Sequence, residues 1–230
     1  DVERSRGLGD VYKRQTSDTE TLVQLIAKSK RSKTIDKIID AVFQVQGGYA
    51  LTIMTNKKLV GIRDPFGIRP LVLGKLKDSY ILSSETCALD IIGANFIREI
   101  DNGEIIIIDK NGIESIKPFP KVKSRPCVFE YVYFSRPDSI VGGKAVHQYR
   151  KKLGEELAKE IRIDADIVSA VPDSGIPAAI GYSNQSKIPY DMGIIRNHYV
   201  GRTFIEPTQQ IRQLGVKLKH NANKLSLIHI

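Results

Sequence analysis

The chain has 230 residues, 35 Lys+Arg against 26 Asp+Glu for a net charge of +9, and two cysteines. That length suits one large domain or two, and cysteines without metal-ligand spacing argue against a secreted disulfide framework and for a reducing, cytosolic setting. The longest purely aliphatic run, the isoleucines at 105–108, is far shorter than the ~20 apolar residues that cross a bilayer, so no membrane segment is predicted.

The two ends read as a matched pair. Leu225–Ile230, LSLIHI, can be encoded by CTG TCT CTT ATA CAC ATC, and the reverse complement of that string translates as Asp-Val-Tyr-Lys-Arg-Gln, the residues at 10–15. An inverted DNA element at both edges of a fragment would produce this. Residues 1–15 and 225–230 are therefore read as foreign sequence, and the remainder as an internal piece of a longer protein. Without the leader, the charged residues number 31 basic and 23 acidic. The excess is uneven, because Arg196, Arg202, Arg212, Lys217, Lys219 and Lys224 face the single acid Glu206 between 196 and 224. An anionic partner near that end would account for this, and a solvated basic loop accounts for it equally.

Taken in chain order, Ser17 and Glu20 have capping-box spacing and precede Leu22, Val23, Leu25 and Ile26, which predicts a helix from about Asp18. Ile35, Ile38, Ile39, Val42 and Phe43 predict a second helix. From Ala50 the period shortens. GGYALTIMTNKKLVGIRDPFG and PLVLGKLKDSYILSSE read as strand, polar turn, strand, and EIIIIDKNGIESI repeats this around Asn111-Gly112, a strong hairpin signal. Residues 50–116 are thus predicted as antiparallel β sheet packed against the two helices, and 119–126 as a connection.

The second half alternates differently. Val146, Tyr149, Leu153, Leu157 and Ile161 predict one apolar helix face; ADIVSAV reads as a strand, GIPAAIGYSNQ as a short helix and IPYDMGII as another strand. This β-α-β order predicts a parallel sheet covered by helices.

Two stretches could carry chemistry. Pro172-Asp173-Ser174-Gly175 lies between a strand and a helix, where outward-pointing amides, a hydroxyl and a glycine fit phosphate or pyrophosphate; an ordinary turn with Asp173 or Ser174 as N-cap explains it equally. Arg196, His198, Tyr199 and Arg202 then surround Gly201, as in a hinged cationic flap that clamps phosphates, or a solvated loop. Asp64, Glu85 and Asp90 are as well explained as turn or cap residues as they are as catalysts, and Asp18 by the helix dipole.

Several stretches together resemble the amidophosphoribosyltransferase family. RDPFGIRPLVLGK and SSETCALD resemble the later part of a class II glutaminase domain, a pairing shared more loosely by other amidotransferases, whereas FEYVYFSRPDS followed by NHYVGRTFI is much more specific. The resemblance covers Thr16–Lys224. It implies a fold of α+β and α/β class: a partial class II (Ntn-type) αββα glutaminase sandwich over 16–125, then the start of a type I phosphoribosyltransferase parallel sheet over 126–224.

The family activity so implied hydrolyses glutamine, passes ammonia through an internal channel and adds it to phosphoribosyl pyrophosphate, giving 5-phosphoribosylamine for de novo purine synthesis. By resemblance, Asp18 holds the glutamine α-amino group, and Asp173, Ser174 and Gly175 form the pyrophosphate loop, with Ser174 near Mg²⁺. Arg196, His198, Tyr199 and Arg202 form the flap, and Phe129, Tyr133 and Ile205 line the channel. The nucleophilic cysteine and the ribose-phosphate loop with its two acids fall outside the chain, so the chain alone is expected to be inactive. His198 stands where many relatives have Arg. Cys127 stands where some members ligate a [4Fe-4S] cluster. Purine nucleotide inhibitors and a homo-oligomeric parent are also implied. The alternative is a non-catalytic nucleotide- or RNA-binding module using 196–224; nucleic-acid platforms interleave aromatics with basic residues, and that segment offers only Tyr199 and Phe204.

Overall fold

A computed structural model describes residues 18–201 and 207–224. The described chain divides into two compact units. One takes in the residues up to Ser84 and Phe96–Pro126; the other takes in Glu85–Asn95 and the residues from Cys127 onward.

In the first unit, helices α1 (Asp18–Lys28) and α2 (Thr34–Val42) precede strands β1 (Ala50–Met54), β2 (Leu59–Arg63), β3 (Val72–Leu76) and β4 (Ser79–Ser83). After helix α3 (Thr86–Ile91) come β5 (Asn95–Glu99), β6 (Ile105–Asp109) and β7 (Gly112–Ile116). The strands form two sheets, in the orders β1-β2-β6-β7 and β4-β3-β5, the two β layers expected of an αββα sandwich. Leu22, Ile38, Ala41 and Val42 from the helices pack with Val60, Ile62, Ile105 and Ile107. Ile106 belongs instead to a cluster with Leu71, Leu73 and Ile100, with Leu82 and Ile108 against it. The isoleucine run therefore alternates as a strand must, but each face meets a covered layer: helices on one side, the second sheet on the other.

The switch between sheets is made by the RDPFGIRP turn. Asp64 is fully buried, and its carboxylate accepts the N–H groups of Phe66, Ile68 and Arg69. Arg63 donates to the carbonyls of Arg69 and Ile100. Asp64 is thus a turn-holding residue, whose charge is offset by backbone dipoles.

In the second unit, α3 is followed by a π-helical turn (Glu130–Phe134), the short strands β8 (Ile140–Val141) and β9 (Lys144–Ala145), and helices α4 (Val146–Glu160) and α5 (Ile176–Ser186). Strand β10 (Ile194–Arg196), helix α6 (Gln209–Lys219) and strand β11 (His220–Ala222) complete it. The predicted parallel sheet is reduced, among the described residues, to one parallel bridge, Val168 with Tyr190. Strand β10 pairs antiparallel with β11.

The buried stripe of α4 also differs from the aliphatic face expected. Val146, Arg150, Gly154 and Ala158 are buried, whereas Leu153 and Leu157 are 40% and 47% exposed. Close helix contact explains this. A Cβ on Gly154 would stand 1.8 Å from the carbonyl oxygen of Ala178, and one on Gly181 would stand 1.9 Å from that of Lys151. Only glycines let the two backbones approach so closely. Gly154→Ala is therefore expected to destabilise the second unit by about 2 kcal/mol, because overpacking against rigid backbone outweighs the ~1 kcal/mol helix-propensity gain. Denaturant unfolding followed by the second unit's amide signals checks this; an unchanged or raised midpoint would refute the close crossing.

Candidate functional site

Helix α1 begins at Asp18, the residue expected to hold an amino group, and its first turn borders a cavity. Thr19, Thr21, Gln44, Gln46, Tyr49 and Arg69 contribute to a cavity of about 610 Å³. The Tyr49 hydroxyl is buried and has no hydrogen-bond partner among the described residues. Burial first, and then the Asp64 charge, pushes its pKa up to about 12, so it remains a neutral O–H donor. Sequence periodicity had no means of separating Tyr49 from core residues, because its ring packs in the helix-sheet core while its hydroxyl is what lacks a partner.

In the second unit, residues 172–175 lead into α5. Gly175 is the N-cap and receives no side-chain cap, so neither Asp173 nor Ser174 performs the capping role that would explain the motif as an ordinary turn. Asp173 Oδ2 instead accepts from Arg196 Nη1 of strand β10. This contact brings the predicted phosphate loop and the first residue of the predicted flap together. The Arg196 Nε is buried with no partner among the described residues. Beyond it, Tyr199 is 100% exposed and His198 is exposed; the Tyr199 N–H donates to Asn197 Oδ1 at 3.0 Å. Arg202 and Ile205 lie outside the described residues.

The charge-rich continuation is not a loop throughout. Thr208 caps α6 by accepting the Ile211 N–H at 3.3 Å, and Ile211, Leu214 and Leu218 are exposed along it. Their i, i+3, i+7 spacing was a legible helix signal masked by the charge content.

The aromatic segment expected to line a channel forms the π-helical turn. Phe129 and Tyr133 are 56% and 64% exposed. The Phe129 and Phe134 rings stand 5.9 Å apart. Beneath them Arg150, nearly fully buried, donates from Nε to the Tyr131 carbonyl at 2.7 Å and from Nη2 to that of Ser135 at 2.8 Å. Its desolvation lowers the guanidinium pKa. The Ser135 hydroxyl donates to Glu130 Oε2 at 2.8 Å.

Metal-binding capacity follows from these residues. Among the described residues no group of three or more His, Cys, Asp or Glu could enclose a metal ion. Mg²⁺ retains waters and substrate phosphates and needs only one or two protein oxygens, and the carboxylate and hydroxyl of adjacent Asp173 and Ser174 fit that requirement. A [4Fe-4S] cluster needs four thiolates. This chain holds only Cys87 and Cys127, both free, so its own residues do not fit a cluster.

Comparisons with known proteins bear on the whole chain rather than on single residues. A family profile described as "Glutamine amidotransferase domain" matches residues 6–90. An amidophosphoribosyltransferase of Rhizobium etli is 58% identical over 214 residues, covering 91% of this chain and 43% of that protein. A chloroplastic one of Glycine max is 50% identical over 205 residues, covering 89% of this chain and 36% of that protein. A solved glutamine phosphoribosylpyrophosphate amidotransferase from B. subtilis, complexed with ADP and GMP, superposes with a TM-score of 0.84 at 45% identity, over 91% of this chain and 46% of its own. A second structure, described as the allosteric regulatory enzyme of purine biosynthesis, has a TM-score of 0.83 at 42% identity, over 96% of this chain and 49% of its own. The chain thus spans less than half the length of each of these relatives. Their agreement runs through both compact units, where a likeness to a glutaminase alone would stop at the first. By sequence and by fold, both compact units of this chain are similar to amidophosphoribosyltransferases.

Proposed function

We propose that the protein is a glutamine-dependent amidophosphoribosyltransferase, a cytoplasmic glycosyltransferase that releases ammonia from glutamine and adds it to phosphoribosyl pyrophosphate. In this reading residues 16–125 are the later part of its glutaminase half and 126–224 the earlier part of its phosphoribosyltransferase half. The observation that carries the reading is the meeting of Asp173 with Arg196, because it brings the loop that leads into α5 together with a guanidinium, the groups that a sugar diphosphate needs.

Each residue has a physical task. Asp18, ionised at a helix start, takes the α-ammonium of glutamine. The cavity beside it supplies neutral donors and acceptors from Thr19, Gln44, Gln46 and Tyr49, and a cation from Arg69. Ser174 and the amides of Gly175 and its neighbours receive pyrophosphate at the start of α5. Arg196 and Arg202 neutralise it, Gly201 gives the flap a hinge, and His198 and Tyr199 border the phosphates. Mg²⁺, held by Asp173 and Ser174 together with substrate, would supply further charge neutralisation. Phe129, Tyr133 and Ile205 offer ammonia an apolar path on which it finds no proton. Purine nucleotides serve as inhibitors, and the assembly is homo-oligomeric.

Replacing Arg196 by alanine in the complete enzyme is expected to raise the KM for phosphoribosyl pyrophosphate about 10- to 100-fold, the value of a lost hydrogen bond to a charged group. Glutamine hydrolysis should persist. Ammonia-dependent kinetics checks this: an unchanged KM would remove the loop and flap from substrate binding.

A further inference from the structure

Helix α3 opens with two side chains that serve a distant part of the chain. Glu85 occupies its N-cap position but makes no side-chain cap bond to the helix. One carboxylate oxygen, Oε2, takes the Cys87 thiol of the same helix at 3.7 Å and accepts the Arg136 N–H and the Ser139 hydroxyl, each at 2.7 Å, from residues 51 and 54 positions downstream. Thr86 repeats the pattern, its Oγ1 accepting the Ile140 N–H at 2.9 Å. Ser139 is fully buried and Thr86 nearly so. Three donors of one short turn, 136–140, are therefore met by two adjacent side chains.

That turn is continuous with the aromatic segment. Ser135, immediately before it, is tied to Glu130 and Arg150, and Arg150 also holds the Tyr131 carbonyl. The rings of Phe129 and Tyr133 are more than half exposed, so surrounding packing confines them little. A buried polar frame under an exposed apolar surface sets their placement. The exposed Arg136–Asp138 pair adds little, since such surface pairs are screened by water. Bonds from N–H and O–H to a carboxylate are among the stronger ones, and removing the acceptor strands the Ser139 hydroxyl in the interior.

We infer that Glu85 and Thr86 are positioning residues for the aromatic wall along which ammonia travels, acting through the 136–140 turn. This rests on the function proposed above. SSETCALD, read from sequence as a glutaminase motif, then has its first two functional side chains committed to the second unit.

The test uses the complete enzyme with Glu85→Ala, Glu85→Gln and Thr86→Val. Peptide-resolved hydrogen exchange across 134–142 should rise at least about tenfold in E85A, with a smaller rise in T86V and near-native protection in E85Q, whose amide oxygen can still accept both donors. The product formed per glutamine consumed should fall at least about threefold in E85A, because ammonia escapes. Synthesis from free ammonia should stay within about twofold of wild type, and E85Q should restore the yield. Unchanged exchange in 134–142, or a rise spread evenly over the second unit, would overturn the positioning role. So would a normal yield per glutamine alongside locally raised exchange. An enzyme whose wild-type form uses neither glutamine nor ammonia would sink the proposed function instead, and the exchange pattern would still decide whether Glu85 holds the turn.

Discussion

Replacing Asp18 by alanine in the complete enzyme is expected to lower kcat/KM for glutamine by about 100-fold or more, while synthesis from free ammonia stays within about twofold of wild type. The magnitude follows from the lost carboxylate: a charge-assisted bond to an ammonium is worth up to about 3 kcal/mol once water is excluded, and each 1.4 kcal/mol is tenfold in rate. The position suits the task, since the dipole of α1 favours an ionised carboxylate at its first residue. Asp18→Asn, which keeps shape and removes charge, should fall between the two. Steady-state rates with glutamine and with ammonium chloride, measured on the same preparations, check this. Equal loss of both activities would remove Asp18 from glutamine binding and make it a residue of the fold.

A second large effect is expected at Glu104, which no motif singled out. Its side chain is 1% exposed. Arg98 donates to both carboxylate oxygens at 2.8 and 2.6 Å, the Asp101 N–H at 2.7 Å and the Ser115 hydroxyl at 2.6 Å. Burial alone would raise its pKa, but the bonds from Arg98, Ser115 and Asp101 and the Arg98 charge overcome this and lower it from 4.5 to about 2. The Arg98 guanidinium is correspondingly raised, chiefly by its bond to Glu104.

A carboxyl whose folded pKa is depressed contributes stability that is fully present above the unfolded value. That contribution is lost as pH falls from about 4.5 toward 2. Here it amounts to about 3 kcal/mol at neutral pH, of which about 2 kcal/mol is gone by pH 3. Glu104→Ala should cost about 3–5 kcal/mol in the first unit, because it also leaves Arg98 and Ser115 without their acceptor. Glu104→Gln should be destabilised at pH 7 yet flatter between pH 5 and pH 3 than wild type. Denaturant midpoints at the two pH values check both statements, and equal pH slopes for wild type and E104Q would exclude the depressed carboxyl.

Much of the first unit was legible because its determinants are local. The 3.6-residue spacing of Leu22, Leu25 and Ile26 and of Ile35, Ile38, Ile39 and Val42 marked α1 and α2. Asn111-Gly112 marked the turn of the β6–β7 hairpin, in which Asp109 pairs with Gly112. The separation into two sheets was implied by the resemblance but not by periodicity, because it depends on Arg63 reaching a carbonyl 37 residues away and on Asp64 collecting amides after the chain has turned. The face of α4 was misread for a related reason: Leu153 and Leu157 carry the strongest local signal, but the partner helix can approach only where Gly154 and Gly181 leave room.

The apolar runs at 165–171 and 188–195 have strand composition, yet a parallel ladder forms only where neighbouring strands supply its hydrogen bonds, and among the described residues that amounts to the Val168–Tyr190 bridge. At the site, residue types and order were enough to single out Asp18, the 172–175 loop and the flap beginning at Arg196, since a helix start, a glycine turn and a cluster of arginines are properties of short segments. That Asp173 reaches Arg196, that Glu85 reaches Arg136 and Ser139, and that the Tyr49 hydroxyl has no partner among the described residues are facts of folding. Each depends on which distant groups compaction brings within about 3 Å, and no local pattern encodes that.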